Sequence, residues 1–108
     1  MFFQLKDYNQ LTVSGNQIKL RGRIRQVYDF KKYIVVLLSA NKGDPEYNTL
    51  GKENIYCYDA EGNLKWVFPK GITGMEKIDE DTVSLYDGSW DNYVKVSTGE
   101  VIKSIWVK

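Results

Sequence analysis

The run Tyr33-Ile34-Val35-Val36-Leu37-Leu38 constrains this chain more than any other stretch. It is strand-length, rich in β-branched residues, and offers no polar face to water. It therefore reads as a central strand covered on both faces, and other sheet surfaces must pack against it. The rest of the chain reads the same way. Ile18 to Arg25 alternates strictly, with Ile18, Leu20 and Ile24 on one side and Lys19, Arg21, Arg23 and Arg25 on the other. Gly22 falls on the apolar side and predicts a bulge or a close approach. Phe2–Leu5 and Leu11–Ser14 are short strand candidates before the turn-forming pair Gly15-Asn16. Asn54–Tyr58, the turn Asp59-Ala60-Glu61-Gly62 and Asn63–Phe68 make the clearest hairpin. Met75–Ile78, Thr82–Tyr86, Asn92–Val96 and Glu100–Val107 complete the strands. No amphipathic helix is legible, and the strongest helix former, Ala, occurs only at 40 and 60. At 108 residues the chain is one domain by length.

Two stretches repeat in order and kind. Tyr33–Leu38, Asn54–Tyr58 and Asn63–Phe68 match Thr82–Tyr86, Asn92–Val96 and Glu100–Val107. Gly62 aligns with Gly99, and each opens a strand carrying a tryptophan, Trp66 or Trp106. With one earlier strand before each, the expectation is an all-β domain over 1–108. It holds two consecutive four-stranded, blade-like meanders, one over about 18–68 and one over about 75–107. The two stack as a sandwich or half-open barrel, or an exposed face or edge is completed by another chain. The intramolecular stack is the preferred reading.

The segment Asn54-Ile55-Tyr56-Cys57-Tyr58-Asp59-Ala60-Glu61-Gly62-Asn63-Leu64-Lys65-Trp66 resembles the blade signature of quinoprotein-type β-propellers, an Asp-x-x-Gly turn followed by a strand with Trp. The second repeat fits it loosely, with Ser97 in place of the Asp. Two blades do not close a propeller ring. The chain is also similar to short uncharacterised bacterial proteins that carry one such hairpin and resemble immunity proteins. That resemblance implies binding and inhibition of a toxin.

Composition removes several chemistries. With no His there is no Ser–His–Asp or Cys–His centre and no usual general base near neutral pH. One Cys and no His exclude a structural zinc site. Gly71-Ile72-Thr73-Gly74 lacks the Lys of a phosphate-binding loop. Cys57, mid-strand between two tyrosines, reads as a packed small residue. Most of the carboxylates Glu46, Glu53, Asp59, Asp79, Asp81, Asp87 and Asp91 fall in turns, where Asp bonds the local backbone. Asp87–Asn92 alternates oxygen ligands as a calcium loop does, without the later Glu. The expectation is no enzyme, no cofactor and no metal.

Binding is the remaining class. Lys19, Arg21, Arg23 and Arg25 would stand about 6–7 Å apart along one strand face, a strip for phosphates or an acidic protein surface. The plain alternative is a solvated outer face. Trp66, Phe68 and Trp106 read as core. Trp90, in the polar loop after Asp87, reads as an exposed anchor for a protein partner, and Tyr47, in the aperiodic Ser39–Glu53 stretch, as a weaker one. Partner-binding candidates are therefore Lys19, Arg21, Arg23, Arg25, Tyr47 and Trp90. The net charge of +1 supplies no global field toward nucleic acid or an acidic membrane. Met1–Asp7 lacks the features of a signal peptide, and no apolar run approaches the ~20 residues of a spanning helix. A cytoplasmic protein-interaction module is the expectation, with the immunity type as what the resemblance implies. Nucleic-acid binding through the strip is the alternative, and homo-oligomers through exposed sheet edges stay open.

Overall fold

The computed structural model describes residues 3–107. It contains eleven strands, all paired antiparallel with their chain neighbours inside three separate meanders. The first sheet is β1 (Phe3–Asp7), β2 (Gln10–Val13) and β3 (Asn16–Lys19). The second is β4 (Arg23–Phe30), β5 (Tyr33–Ser39), β6 (Ile55–Asp59) and β7 (Leu64–Val67). The third is β8 (Gly74–Asp79), β9 (Thr82–Tyr86), β10 (Trp90–Lys95) and β11 (Val101–Trp106). Among the described residues no helix is long and apolar enough to cross a membrane. The expected Phe2 end of the first strand lies outside the described residues.

The all-β class and the stacking of meanders stand, but three sheets stack where two were expected. The second sheet is the middle layer. Its Ile34, Val36, Leu38, Tyr56 and Tyr58 pack with Leu11, Val13 and Leu20 on the first-sheet side. Its Phe30, Val35, Leu37, Ile55, Cys57 and Phe68 pack with Met75, Val83, Leu85, Val94 and Val96 of the third sheet. That is why Ile34–Leu38 is buried without interruption. Strands of five or six residues span about 17–20 Å, which fits the 17 Å short axis of the 36 × 33 × 17 Å molecule.

The alternating stretch 18–25 is two strands rather than one. The Leu20 N–H donates to Asn9 O and the Ile24 N–H to Tyr8 O, so the chain crosses from the first sheet to the second between them. Leu20 and Gly22 are buried at this crossing. A Cβ on Gly22 would stand 2.8 Å from Ser39 O and 3.0 Å from Leu50 Cδ1, the close approach its position predicts.

A recurring contact joins successive sheets. Ile18 on β3 rests on Gly62 in the β6–β7 turn, and Trp66 on β7 rests on Gly99 in the β10–β11 turn. The Asn16 side-chain amide donates to Glu61 O at the first contact, and Trp66 Nε1 donates to Val96 O at 2.7 Å at the second. Four residues past Gly99, where Gly62 is followed by Trp66, the third sheet carries Lys103, whose ammonium lies 4.9 Å from the Tyr93 ring. Among the described residues no sheet follows the third. The outward side of the first sheet presents Gln10, Thr12, Gln17 and Lys19, with Gln17 Nε2 bonded to Gln10 Oε1 at 2.6 Å. The outward side of the third presents Glu76, Ser84, Asp91, Lys95 and Lys103 around Tyr93 and Ile105. Mostly polar end faces are what a finite stack of repeats requires.

Candidate protein-binding surface

The basic residues do not form the expected row. Lys19 closes β3, Arg21 lies in the crossover, and Arg23 and Arg25 belong to β4 in another sheet. Two of them are turned to internal work. Arg23 grips Asp44 with two hydrogen bonds, Nη2 to Oδ1 at 2.8 Å and Nε to Oδ2 at 3.1 Å, in the planar fork that guanidinium and carboxylate share. Its guanidinium also lies 4.8 Å from the Tyr8 ring. This hydrogen bond, joined by the Asn41 N–H, holds the Asp44 carboxyl below the usual carboxylate range. Arg21 Nη2 donates to Thr49 O at 3.0 Å. Both arginines thus fasten the 40–53 connection onto the first two sheets, and Leu50 from that connection enters the core. Tyr47 projects from it and is exposed. Arg25 lines a shallow groove of about 650 Å³ between β1 and β4, with Leu5, Ile24 and Val27.

The carboxylates are similarly occupied. Asp59 Oδ1 accepts the Glu61 and Asn63 N–H groups, Asp79 Oδ1 the Asp81 N–H, and Asp87 Oδ1 the Ser89 and Trp90 N–H groups. Backbone donors, chiefly the N–H groups of Asn63, Asp81 and Trp90 respectively, pull all three carboxyls below their ordinary range. Asp87 Oδ2 further takes the Asn92 amide at 3.2 Å, so the first carboxylate of the calcium-like alternation is engaged within its own turn. Among the described residues no group of three or more acidic or thiol side chains is placed to hold a metal ion. Cys57 is buried, and that burial pushes its thiol up to about 12.

Trp90 and Trp106 are the feature that stands out. They are registered opposite each other on β10 and β11, with ring centroids 5.2 Å apart in an edge-to-face arrangement, and they are 40% and 54% exposed. Trp90 is exposed as its loop setting suggested. Trp106 is not core, because it does not occupy the site that Trp66 fills. Trp66 stands four residues after its turn glycine and faces the next sheet, whereas Trp106 stands seven after Gly99, at the far end of the last strand. Phe68 is core, and Trp66 is half-buried against it.

Every residue of β11 is exposed, and Val101, Ile102, Ile105 and Val107 add exposed apolar side chains along the strand and just past it, with Ile105 on the face opposite Trp106. Among the described residues β11 pairs only with β10, which makes it an edge strand. Sequence reasoning missed this surface, although the meander order itself was a signal: the last strand of a meander is an edge. The structure does not gather the six candidate residues into one site. Trp90 belongs to the third sheet, while Lys19, Arg21, Arg23, Arg25 and Tyr47 belong to the first two sheets and their connection.

No curated protein and no solved structure matches the chain. A family model described as Domain of unknown function (DUF7957) matches residues 4–104, a span that reaches from β1 into β11 and so takes in all three sheets. The chain therefore belongs to the DUF7957 family.

Proposed function

We propose that this chain is a non-catalytic protein-interaction module that receives its partner on the Trp90–Trp106 surface of the third sheet. The observation that carries the reading is this paired, half-exposed indole surface on an open edge strand of apolar residues. Tryptophan anchors of this kind dominate the energetics of protein interfaces. Against a catalytic role stand the turn aspartates, each occupied by local N–H donors, and the buried, protonated Cys57 thiol. The finer reading is an immunity-type inhibitor of a bacterial toxin, acting in the cytoplasm. It rests on the likeness to short immunity-like proteins, and the stacking of three meanders in chain order supports kinship with propeller blades. Nucleic-acid binding is less well supported, because Arg21 and Arg23 are engaged within the chain.

Capture from an extract of the native host tests the reading. Wild-type chain should recover a specific protein, and Trp90→Ser with Trp106→Ser should lose it while Lys19→Gln with Arg25→Gln keeps it. Equal capture by all three would refute the assignment. Polynucleotide binding at low salt, where phosphate contacts are strongest, would instead favour the basic residues. For the finer reading, co-expression should neutralise a toxin encoded beside this chain.

A further inference from the structure

We infer that the groove between β1 and β4 receives an extended segment of another protein as a fourth strand of the first sheet. Alternate apolar side chains of that segment bury on Leu5, Ile24 and Val27, and one carboxylate pairs with Arg25. The groove belongs to the first two sheets and the Trp90–Trp106 surface to the third, so each reading can fail without the other.

The stack itself marks the vacant strand position. The second and third sheets each begin with a strand, β4 or β8, ahead of three strands that correspond in all three sheets. The joints fix the correspondence. Ile18 rests on Gly62 as Trp66 rests on Gly99, so β3 matches β7. Ile18 lies opposite Leu11, and Leu11 opposite Leu5. Trp66 lies opposite Cys57, and Cys57 opposite Val35. Leu5 therefore holds the place of Val35, and β1 that of β5. Val35 has a further neighbour, Tyr28 on β4, whereas Leu5 has no strand on that side among the described residues. Burial records the difference: Val35 is 0% exposed and Leu5 61%.

The position is built to accept backbone. The Leu20 N–H donates to Asn9 O, so that opposite pair is hydrogen-bonded. Alternation along the ladder then turns the peptide groups of Thr12 and Gln4 toward each other and those of Leu5 outward, into the groove. Across the gap stand Ile24 and Val27, on the side of β4 that packs with the first sheet. A strand laid there meets β4 as β4 meets β8, where Lys77 Nζ donates to Asp29 O at 2.7 Å. Features that guard an edge are confined to its closed end. The charge of Lys6 and the register shift between Leu5 and Asp7 lie beside Tyr8, whose carbonyl already takes the Ile24 N–H. Phe3–Leu5, at the open end, carries neither charge nor Pro.

Charge selects the occupant. Arg25 is the one charged residue among those that line the groove, and among the described residues it has no ion pair. It stands at the β4 bulge, between Ile24 and Gln26, the kind of place where a strand re-aims a side chain. An incoming strand with a carboxylate is therefore favoured over a neutral or basic one. A second copy does not supply it. Its outer strands β3, β7 and β11 carry Lys19, Lys65 and Lys103 and no carboxylate, and its β1 is recessed beside its own β4. Strand addition of this kind draws affinity from main-chain hydrogen bonds and specificity from alternate side chains.

The test uses the full-length chain and two synthetic peptides, Thr-Val-Asp-Val-Thr-Val-Thr and the same sequence with Lys in place of Asp. At millimolar concentration the acidic peptide should slow hydrogen exchange at the Leu5 amide. The Lys peptide should bind about fivefold more weakly, the scale of one exposed ion pair. Arg25→Glu should invert that preference, and the inversion shows that the variant is folded. Methylating the backbone nitrogens of the acidic peptide should abolish binding, whereas Trp90→Ser with Trp106→Ser should leave it unchanged. An unprotected Leu5 amide, equal binding of the two peptides, protection on β11 in place of β1, or self-association through β1 without peptide would each overturn the inference. Peptide binding without capture of a host protein would refute the proposed function alone.

Discussion

Replacing Gly99 with Ala separates a backbone cost from a packing cost, because Gly62 provides an internal control. Both glycines sit in matching turns with positive φ, +78° at Gly99 and +92° at Gly62, where an L-residue costs about 1–2 kcal/mol. The surroundings differ. A Cβ at Gly62 would find its nearest neighbour, Asn16 Cβ, at an ordinary 3.5 Å. At Gly99 it would lie 2.7 Å from Trp66 Cγ and 2.9 Å from Cδ2. Cγ is the ring atom closest to the backbone, and the ring is held by its bond to Val96 O, so it has no cheap way to give. Overpacking of this kind adds about 1–3 kcal/mol. Gly62→Ala should therefore lose about 1–2 kcal/mol and Gly99→Ala about 2–5 kcal/mol. At about 5 °C per kcal/mol for a domain of this size, Gly99→Ala should melt roughly 5–15 °C below Gly62→Ala. Urea titration followed by far-UV circular dichroism reads both values. In a Trp66→Ala background the extra cost at Gly99 should vanish, leaving only the backbone term. Equal losses at the two glycines, or an unchanged Gly99→Ala cost without the indole, would refute the claim that Trp66 on Gly99 is a packed joint between sheets.

Other consequences follow from the same structure. Arg23→Ala should free the 41–50 segment, seen as faster amide exchange there with the strand amides still protected; uniform acceleration across the chain would show that the arginine holds more than the loop. The lowered carboxyls of Asp44, Asp59, Asp79 and Asp87 bind protons less readily when folded, so their contribution is fully present above the unfolded value of 3.8 and is lost as pH falls through the lower folded values. Stability measured by denaturant should accordingly decline below pH 4 and not between 5 and 7, and a steep loss near pH 6 would contradict it. At the other end, burial pushes Cys57 and Tyr58 from 9.0 and 10.0 to about 12, so the unfolded chain ionises first and stability should fall as pH rises from 9 toward 12. Cys57 should also resist a thiol reagent at pH 8 until the chain is unfolded, and rapid labelling of the native protein would show the thiol to be accessible.

Period-two alternation, turn glycines and the Tyr33–Leu38 run depend on neighbours along the chain, so strand type, hairpin positions and a doubly covered middle strand were legible in the sequence alone. The aspartate turns were legible for the same reason: Asp59 and Asp87 bond backbone groups two to four residues away. Which sheet each strand joined was not. Ile18–Arg25 alternates without a break, yet Asn9 and Tyr8 capture its backbone at Leu20 and Ile24 and divide it between two sheets, and no local pattern reports a hydrogen bond to a distant strand. That division separates the basic residues and adds the sheet β1–β3, which carries neither an Asp-x-x-Gly turn nor a tryptophan. The tryptophans make the same point. Trp66 and Trp106 both follow a turn glycine on an outer strand, but only Trp66 has a following sheet to rest on. Position in the stack, a property of the whole fold, buries one and leaves the other beside Trp90 on an open edge.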